Sequence, residues 1–353
     1  MTQSLTKISV IIPVYNAENT IGQCIESILA NKIDGLEIIC VDDGSKDRSI
    51  EIIKKYRDKN KEITLLTQNN QFAGVARNNG LAHATGEYVA FLDADDTFLP
   101  GALARMLKIA KKHKLDMFKA GFAFLDTTND KSYKTLFSTN SMISLFDKMR
   151  ILTLKDRPVR LLNAADVPWN GIYKRSFLAE NDIRFNDLQC VNDHSFYIHC
   201  LLKAKRIKFS SFPVVCYRVG QNNSLIGKKA SRFENQIASY NIVKKLVADE
   251  EKIIKHAVME KELYLVLDWY TTLLSIDKSQ TLLNENIKAF VSNFDESDVS
   301  PNFTKTFAYS DVYHRLRYGK QSSGKQGKFK KALNCYREHG IKYTIAKLIK
   351  RER

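Results

Sequence analysis

The chain has 353 residues, of which 44% are hydrophobic and 27% are charged, with only 15 glycines and 6 prolines. These values are typical of globular proteins and exclude collagen-like, low-complexity and wholly disordered chains. The 55 Lys and Arg residues outnumber the 39 Asp and Glu residues and give a formal net charge of +16, which favours an anionic partner. The length predicts roughly two domains.

The sequence predicts a cytoplasmic protein. It contains no run of about 18 apolar residues that would span a membrane. The apolar run at 8–14 is interrupted by Pro13 and is followed by polar residues without a small-residue cleavage site, so we expect no signal peptide. The 6 cysteines are scattered and include no CxxC pair, which favours reduced core thiols over a disulfide framework or a zinc site.

Residues 1–125 alternate between short β-rich apolar runs and amphipathic stretches. In chain order the apolar runs predict strands over 8–14, 36–41, 62–67, 87–92 and 116–124. Between the first two, Ile21, Ile25 and Ile28 fall on one helical face, as expected of a crossover helix. The pattern predicts an α/β fold, with a Rossmann-like mixed sheet that is mostly parallel and has flanking helices.

After about residue 140 the pattern changes to helices separated by irregular segments, with a predicted strand at 206–217. Long helical periodicity over 230–275 predicts a helical C-terminal subdomain. A small, polar and basic segment at 320–327 is typical of a linker before a last helix around 328–350. The predicted domains are 1–227, with halves 1–125 and 126–227, then a helical subdomain at 228–319 and a basic tail at 320–353.

Three carboxylates, Asp93, Asp95 and Asp96, follow the strand predicted at 87–92. Clustered carboxylates repel one another, and a divalent cation relieves the repulsion. Mg²⁺ or Mn²⁺ is commonly held by one or two carboxylates together with substrate phosphates, so Asp93 and Asp95 are candidate ligands. The alternative is a polar loop whose Asp residues cap the next helix.

A second acidic pair, Asp42 and Asp43, ends the strand predicted at 36–41 and is followed by Gly44. A carboxylate in this position can accept a hydrogen bond from a sugar hydroxyl or from a base N–H, although a turn followed by a helix cap explains the pair better when it is taken alone. Two acidic turns that end two strands of one parallel sheet face the same crevice, which favours a ligand site. Arg77, near the start of a predicted helix at the same edge, suits a phosphate or a planar base, unless it is an ordinary surface arginine.

Four ordered blocks of the N-terminal half resemble those of family 2 glycosyltransferases of the bacterial polysaccharide type. The blocks are Ile11 to Asn16, Val41 to Ser45, Gly74 to Gly80 and Phe91 to Asp96. The resemblance implies a GT-A fold, a nucleotide-sugar donor and a metal held by Asp93 and Asp95. It places Pro13, Tyr15, Asp42 or Asp43, and Arg77 around the nucleotide, and Asp93 near the ribose.

Three further segments extend the resemblance to about residue 227. The segment Val167 to Arg175 resembles the family's acceptor-side W-N-x-I-Y-K-R block, which implies an acceptor-side position for Trp169 and Asn170. The segment Val191 to Phe196 resembles its E-D-x-x-F block, with Asn192 in place of the first acid. The resemblance implies that Asp193 is the catalytic base. Arg218, with Ser224 and Leu225, resembles the element that closes over the diphosphate.

These parts predict an inverting, metal-dependent glycosyltransferase. The acceptor hydroxyl needs a base, for which Asp193 is the candidate, and the departing nucleoside diphosphate needs charge stabilisation from Mn²⁺ or Mg²⁺ and from Arg218. The expected donor is a UDP-sugar, and the expected acceptor is a hydroxyl of a surface polysaccharide or a lipid-linked oligosaccharide. Trp169 either stacks on a sugar face or packs in the core. His194 is expected at the acceptor side, and its spacing from His199 does not favour a zinc site.

The basic tail predicts a partner in addition to the donor and the acceptor. Residues 320–353 contain 11 Lys or Arg residues and 2 Glu residues, which is +9 of the total +16. Such a helix is expected at an anionic membrane surface at the inner face of the plasma membrane, unless it is a solvated helix packed against its own domain. Nucleic acid is not expected, because no recognisable binding module accompanies the charge.

Two other functions compete with this prediction. A sugar nucleotidyltransferase also needs an α/β sheet and metal-binding Asp residues, but it would carry a Gly-rich phosphate loop after the first strand, where this chain has Pro13 to Asn16. A non-catalytic membrane- or nucleic-acid-binding protein on a degenerate scaffold would have no reason to keep Asp93, Asp95, Asp193 and Arg218 together.

Overall fold

The computed structural model describes residues 7–126, 150–219, 233–276 and 281–319. The strands in these ranges are β1 (Ile8–Val14), β2 (Leu36–Asp42), β3 (Ile63–Thr67), β4 (Tyr88–Phe91), β5 (Thr97–Phe98), β6 (Met117–Asp126), β7 (Gly171–Lys174) and β8 (Ile207–Val219). The predicted linker and basic helix at 320–353, and the Ser224-Leu225 element, lie outside the described residues.

Helices connect these strands and make up the C-terminal part. They are α1 (Ile21–Leu29), α2 (Ser49–Arg57), α3 (Phe72–His83), α4 (Ala102–His113), α5 (Pro158–Leu162), α6 (Arg175–Glu180), α7 (Asn192–Lys203), α8 (Phe233–Leu246), α9 (Lys252–Ile276), α10 (Thr281–Asn293), α11 (Phe303–Thr306) and α12 (Ser310–Tyr318). The periodicity at 230–275 corresponds to α8 and α9. Short 3₁₀ turns lie at Leu154–Asp156, Pro168–Asn170 and Glu296–Asp298.

The described strands form one mixed sheet in the order β3-β2-β1-β4-β7-β6-β8-β5. β1 pairs in parallel with both β2 and β4, and β2 pairs in parallel with β3. β7 is antiparallel to β4 and β6, while β8 is parallel to β6 and antiparallel to β5. The predicted class is therefore confirmed, namely a mostly parallel mixed sheet with flanking helices and a helical C-terminal region.

The apolar composition of the central strands places them in the core. β1 reads ISVIIPV, and every residue of it except Pro13 is buried. A strand covered on both faces needs such a near-continuous apolar run. Helix α1 buries Ile21, Cys24, Ile25 and Ile28, the predicted crossover face, against one side of the sheet.

Two short strands were not predicted. β7 is only four residues long and β5 only two, so neither has enough residues to show an alternating pattern. β7 matters for the site, because it joins the parallel half of the sheet to β6 and β8.

The cysteines of the described residues agree with the predicted core thiols. Cys24, Cys40, Cys190 and Cys200 are buried, Cys216 is half-buried, and none of these five forms a disulfide. Burial raises the pKa of the Cys40 thiol to about 12. The Cys40 thiol is therefore protonated and unreactive at neutral pH.

The chain separates into two compact units, Met1–Val258 and Met259–Arg353. The first contains the whole sheet. In the second, α9, α10 and α12 contribute buried apolar side chains such as Leu267, Ile287, Val291 and Tyr313. Within the described ranges, no helix is long and apolar enough to cross a membrane. The domain boundaries drawn from the sequence remain a prediction.

Candidate functional site

The carboxyl ends of β1, β2 and β4 meet at one edge of the sheet. Val14 at the end of β1 lies opposite Asp42 at the end of β2, and Ile11 lies opposite Phe91 at the end of β4. The acidic turns at 42–43 and 93–96 therefore open at the same edge. This is the edge at which open α/β sheets bind their ligands.

Asp42 and Asp43 are both buried and hold the local backbone. Asp42 Oδ2 accepts hydrogen bonds from the backbone N–H groups of the next turn, both at 3.1 Å. Asp43 Oδ1 accepts from Gln68 Nε2 at 2.9 Å and from the Gln71 backbone N–H at 2.8 Å. Both carboxylates thus stabilise the backbone that follows β2, in agreement with the turn interpretation. Asp42 Oδ1 differs, because it is buried without a hydrogen-bond partner in the described part of the chain.

The loop after β1 is tied to the loop after β2. Asn16 has a φ of 50°, its backbone N–H donates to Ser45 Oγ at 3.0 Å, and its Oδ1 accepts from the Lys46 backbone N–H at 2.8 Å. Pro13 is half-buried, whereas Tyr15 is 53% exposed. The fixed loop therefore presents the Tyr15 ring at the site edge.

The acidic turn after β4 is held by β8. Asp96 is buried, and its Oδ1 accepts from the Arg218 backbone N–H at 2.9 Å. Arg218 Nε donates to the Asp95 carbonyl at 3.0 Å and Nη2 donates to Gln23 Oε1 at 2.7 Å. Burial and the charges of Asp93 and Asp95 raise the pKa of Asp96 to about 9. Burial and then Asp93 raise the pKa of Asp95 to about 6.

A metal at this turn fits Asp95 better than Asp93. In the described ranges no group of three or more His, Cys, Asp or Glu side chains is placed to hold a metal ion. Asp93 Oδ1 already receives a guanidinium, whereas Asp95 is half-buried beside that carboxylate with a raised pKa. A hard divalent cation that takes one carboxylate and completes its shell with substrate phosphates fits this donor set.

Arg77 joins the acidic turn to helix α7. Its Nη2 donates to Asp93 Oδ1 at 2.6 Å, and its Nη1 donates to Asn192 Oδ1 at 2.9 Å. The side chain is buried, and its guanidinium lies 5.2 Å from the centre of the Phe185 ring. The sequence predicted that Arg77 lies near the nucleotide. The structure places it at the junction of the acidic turn and α7, where it is not an ordinary surface arginine.

Asn192, which replaces the usual acid, is both an acceptor and a donor of hydrogen bonds. Its Oδ1 accepts from Arg77, and its Nδ2 donates to the Leu188 carbonyl at 3.3 Å. A carboxylate only accepts, so a glutamate here would give up the second contact. The amide therefore links the preceding segment to α7. Compared with an acid at this position, it leaves Arg77 with one negative charge fewer beside it.

Helix α3 packs closely against the segment that leads into α7. Asn78 Nδ2 donates to the Phe185 carbonyl at 2.8 Å, and Asn78 Oδ1 accepts from the Phe185 backbone N–H at 2.9 Å. A Cβ at Gly74 would lie 2.3 Å from the Asn186 carbonyl oxygen. The sequence predicted that this block lies at the nucleotide, and its packing role was not predicted. The small residue at position 74 was the signal for that role.

Replacing Gly74 by Ala is expected to destabilise the chain by about 2 kcal/mol, because the overpacked methyl meets backbone that cannot rotate away. The displaced segment carries α7, so turnover should fall as well. Thermal unfolding measures the first effect. Gly22→Ala is the matched control: its Cβ would make only ordinary contact, 3.4 Å from Tyr56 Oη, and alanine favours the helix. Equal stability of the two variants would contradict the packing argument.

Asp193 stands in the first turn of α7, with a half-buried side chain. The preceding residue, Val191, has a φ of 53°, a strained conformation for a β-branched residue. Burial and the charge of Asp166 raise the pKa of Asp193 to about 6, while Arg77 and His194 act in the opposite direction. A carboxylate with this pKa is ionised at neutral pH and still accepts a proton readily.

Three charged or polar groups, Asp166, His194 and Lys119, lie in the region of Asp193. His194 is buried, and its Nδ1 is 2.8 Å from Asp166 Oδ2. Lys119 is fully buried in β6, its Nζ donates to the Val167 carbonyl, and it lies 5.2 Å from the centre of the Tyr197 ring. Burial lowers the pKa of Lys119 to about 7. Asp166 and Lys119 were missed, although a lysine in an apolar strand was a visible signal.

Trp169 and Asn170, predicted at the acceptor side, are both buried. The Trp169 ring stacks on Tyr217 with centroids 5.3 Å apart and meets the edge of Phe122 at 4.8 Å. Asn170 Nδ2 donates to the Ala120 carbonyl at 2.9 Å. In this arrangement both residues support β6 and β8, which is the packing alternative for Trp169. Their contact with an acceptor remains a prediction.

Comparison with known proteins gives a consistent set of matches. The family model described as glycosyl transferase family 2 matches residues 9–180. The chain is 31% identical over 247 residues to an uncharacterized glycosyltransferase of Haemophilus influenzae, with 67% of this chain and 86% of that protein covered. It is 35% identical over 191 residues to the uncharacterized glycosyltransferase YibD of Escherichia coli, with 52% of this chain and 53% of YibD covered.

A third relative is longer. The chain is 32% identical over 212 residues to the poly(ribitol-phosphate) beta-glucosyltransferase of Bacillus spizizenii, with 58% of this chain but only 31% of that enzyme covered. The chain thus spans about half the length of YibD and about a third of this enzyme. Among solved structures, S. aureus TarS 1-349 in complex with UDP superposes with a TM-score of 0.66 at 21% identity, over 94% of this chain and 91% of that one. This likeness confirms the GT-A fold.

Proposed function

Because the chain belongs to glycosyl transferase family 2, we propose that it is an inverting, metal-dependent glycosyltransferase. Its donor is a UDP-sugar, and its acceptor is a hydroxyl of a surface polysaccharide or of a lipid-linked oligosaccharide. One observation carries the proposal: Arg77 connects Asp93 of the acidic turn to the start of α7, which bears Asp193. A sugar transfer requires a donor-binding turn and a base that are held in fixed relative positions, and Arg77 supplies such a link through Asn192, the neighbour of Asp193.

The nucleotide half of the proposal rests on the edge formed by β1 and β2. The exposed Tyr15 ring provides a face for a base, and the partnerless Asp42 Oδ1 provides a buried acceptor for a base N–H or a ribose hydroxyl. Asp43 and Pro13 shape the same loops. UDP is favoured because the structurally similar TarS fragment was solved with UDP.

Asp95 would hold the divalent cation, either Mn²⁺ or Mg²⁺, and Asp93 would stay on Arg77 at the ribose side. When bound, the cation would neutralise the charge of the departing diphosphate. Arg218 supports the same region, because its side chain and backbone fix the turn that contains Asp95 and Asp96. Its guanidinium lies where it can also neutralise phosphate charge.

Asp193 is the proposed base. Its ionised carboxylate accepts the proton of the acceptor hydroxyl as the hydroxyl oxygen bonds to the anomeric carbon. The bond from that carbon to the diphosphate oxygen breaks on the opposite face, so the configuration inverts. The partly buried position of Asp193 excludes water from one side of the carboxylate.

The acceptor proposal has support from one relative and from the basic tail. The B. spizizenii relative is named for glucosylation of poly(ribitol phosphate), a polyhydroxylated polymer. Residues 320–353, outside the described ranges, carry a net +9 that would favour an anionic membrane surface, where lipid-linked acceptors lie. Membrane association of this segment is part of the proposal.

The alternative of a non-catalytic, degenerate scaffold predicts different side chains at the site. A scaffold without catalytic use would have no need for a half-buried carboxylate of raised pKa at a helix start, or for a guanidinium that bridges the preceding residue, Asn192, to the acidic turn. Both are present. A nucleotidyltransferase is disfavoured for the reason given by the sequence, since no Gly-rich phosphate loop follows β1.

Calorimetric titration with UDP, GDP and a panel of UDP-sugars tests the donor. We expect UDP to bind in the presence of Mn²⁺ at least about tenfold more tightly than GDP, a difference of about 1.4 kcal/mol. Chelation of the metal should weaken UDP binding by about a hundredfold, because the cation that would neutralise the diphosphate charge is then missing. Failure of every nucleotide to bind to a demonstrably folded chain would favour the degenerate scaffold.

A further inference from the structure

Helix α1 contacts the segment that contains the acidic turn. Cys24 Sγ donates to the Asp93 carbonyl at 3.6 Å, and Ser27 Oγ accepts from the Phe98 backbone N–H at 3.1 Å. Gln23 precedes Cys24 and lies one helical turn before Ser27, so it belongs to the same part of the helix surface. Gln23 is exposed, and neither the donor site nor the proton transfer described above uses it.

Gln23 connects α1 to Arg218 of β8. Arg218 Nη2 donates to Gln23 Oε1 at 2.7 Å, and the two residues are 195 positions apart in the chain. Two further hydrogen bonds hold Arg218: its Nε donates to the Asp95 carbonyl at 3.0 Å, and its backbone N–H donates to Asp96 Oδ1 at 2.9 Å. The guanidinium is therefore fixed between α1 and the acidic turn.

The two side-chain contacts of Arg218 occupy one edge of its guanidinium. Because the group is planar, hydrogen bonds from Nε and Nη2 fix the direction of all its N–H groups. Within the described ranges, Nη1 has no hydrogen-bond partner. The end of the group that is formed by Nη1 and the second N–H of Nη2 therefore remains for a ligand. Two parallel N–H donors of this kind pair with two oxygens of a phosphate.

The charge of Arg218 is oriented without being paired. Both partners of the guanidinium are neutral oxygens, namely the Asp95 carbonyl and the amide oxygen of Gln23. A carboxylate at position 23 would also accept this hydrogen bond, but it would pair the charge as well. The glutamine therefore leaves the positive charge for an anionic ligand.

The place of the guanidinium is set by the residue proposed to hold the metal. Nε bonds to the backbone of Asp95, so a diphosphate on a cation at Asp95 would meet a side chain that is fixed to the same residue. An arginine that is already ordered loses less conformational freedom when such a ligand binds. Gln23 supplies this order from a different element, α1.

We propose that Gln23 is a positioning residue that holds the Arg218 guanidinium with its Nη1 end toward the diphosphate of the donor. The inference rests on the proposed function and adds α1 to the recognition of the phosphates. Loss of the Gln23 amide oxygen therefore weakens the contacts with the diphosphate and leaves those with the nucleoside unchanged.

Gln23→Met removes the amide oxygen, and it keeps the length of the side chain and a good helix former. Calorimetric titration with UDP and with uridine, both in the presence of Mn²⁺, measures the effect. We expect UDP to bind about fivefold more weakly to this variant, because the guanidinium must then be ordered on binding. Uridine, which lacks phosphate, should bind as it does to the wild type. Gln23→Ala should give the same result.

A double-mutant cycle separates the positioning of Arg218 from a general effect on α1. Arg218→Ala should weaken UDP binding by about thirtyfold, since charge-assisted hydrogen bonds are lost. Gln23→Met should cause no further loss in the Arg218→Ala chain, because the group that Gln23 orients is absent. Gln189→Met, the same change at an exposed glutamine of the segment leading into α7, is the matched control and should bind UDP as the wild type does. Thermal unfolding confirms that each variant is folded.

The outcomes distinguish this inference from the proposed function. A wild-type chain that binds UDP no more tightly than uridine, or an Arg218→Ala chain that binds UDP as the wild type does, overturns the proposed diphosphate contacts and this inference with them. If Arg218→Ala weakens UDP binding but Gln23→Met does not, the proposed function stands and Gln23 has no positioning role. The same conclusion holds if Gln23→Met causes an equal loss in both backgrounds. A loss for UDP alone that disappears in the Arg218→Ala chain supports the role assigned here.

Discussion

Asp193→Asn is expected to lower the turnover of sugar transfer by about a thousandfold, the middle to upper range for loss of a general base. Asparagine keeps the size of the side chain and the hydrogen bond from the His194 backbone N–H, but it cannot accept a proton. Donor binding should therefore be retained. The rate of UDP release in the presence of acceptor measures the first quantity, and titration with UDP measures the second.

The pH profile supplies a second readout of the same substitution. Because the pKa of Asp193 is raised to about 6, the base is protonated below that value and the wild-type rate should rise as the pH increases through it. The residual activity of Asp193→Asn should lack this rise. Asp187→Asn, at an exposed carboxylate in the segment leading into α7, is the matched control. Unchanged turnover in Asp193→Asn would remove this residue from the mechanism.

Asp95→Ala should weaken Mn²⁺-dependent binding of UDP by about a hundredfold, within the range seen when the carboxylate partners of a metal site are removed. Asp95 is the half-buried carboxylate of the acidic turn that is not paired with Arg77, so the substitution removes the carboxylate proposed to hold the metal. Without a metal, UDP binding should be similar in the variant and the wild type.

The comparison of both proteins with and without Mn²⁺ makes this prediction specific. Asp34→Asn, at an exposed carboxylate far along the chain from the acidic turn, should bind UDP as the wild type does. Full Mn²⁺-dependent binding by Asp95→Ala would move the metal to other residues. Loss of binding both with and without the metal would indicate collapse of the turn, which the pairing of Asp96 with the Arg218 backbone should prevent.

The positions of the main elements could be predicted because each has a local signal. Apolar runs located β1 to β4, β6 and β8, and the order of the four blocks placed the acidic turns at the edge where parallel strands end. These signals depend on neighbours in the sequence, which a single chain displays directly.

The contacts of the site could not be predicted in the same way. Arg77 meets Asn192 across 115 positions of the chain, and Asn78 meets Phe185 across 107. Such partners depend on how α3 packs against α7, which no local pattern encodes. The sequence therefore predicted a position near the nucleotide for Arg77, which stays a prediction, but not its contact with Asn192. Asp166 and Lys119 were not identified from the sequence.

The bridge made by Arg77 has a thermodynamic consequence. One guanidinium contacts Asp93 on the donor side and Asn192 at the start of the helix that bears Asp193. Groups that share a partner in one network do not contribute additively to a free energy. In the proposed mechanism, a single side chain would thus couple the energies of donor binding and of proton transfer, so neither energy would belong to one half of the site alone.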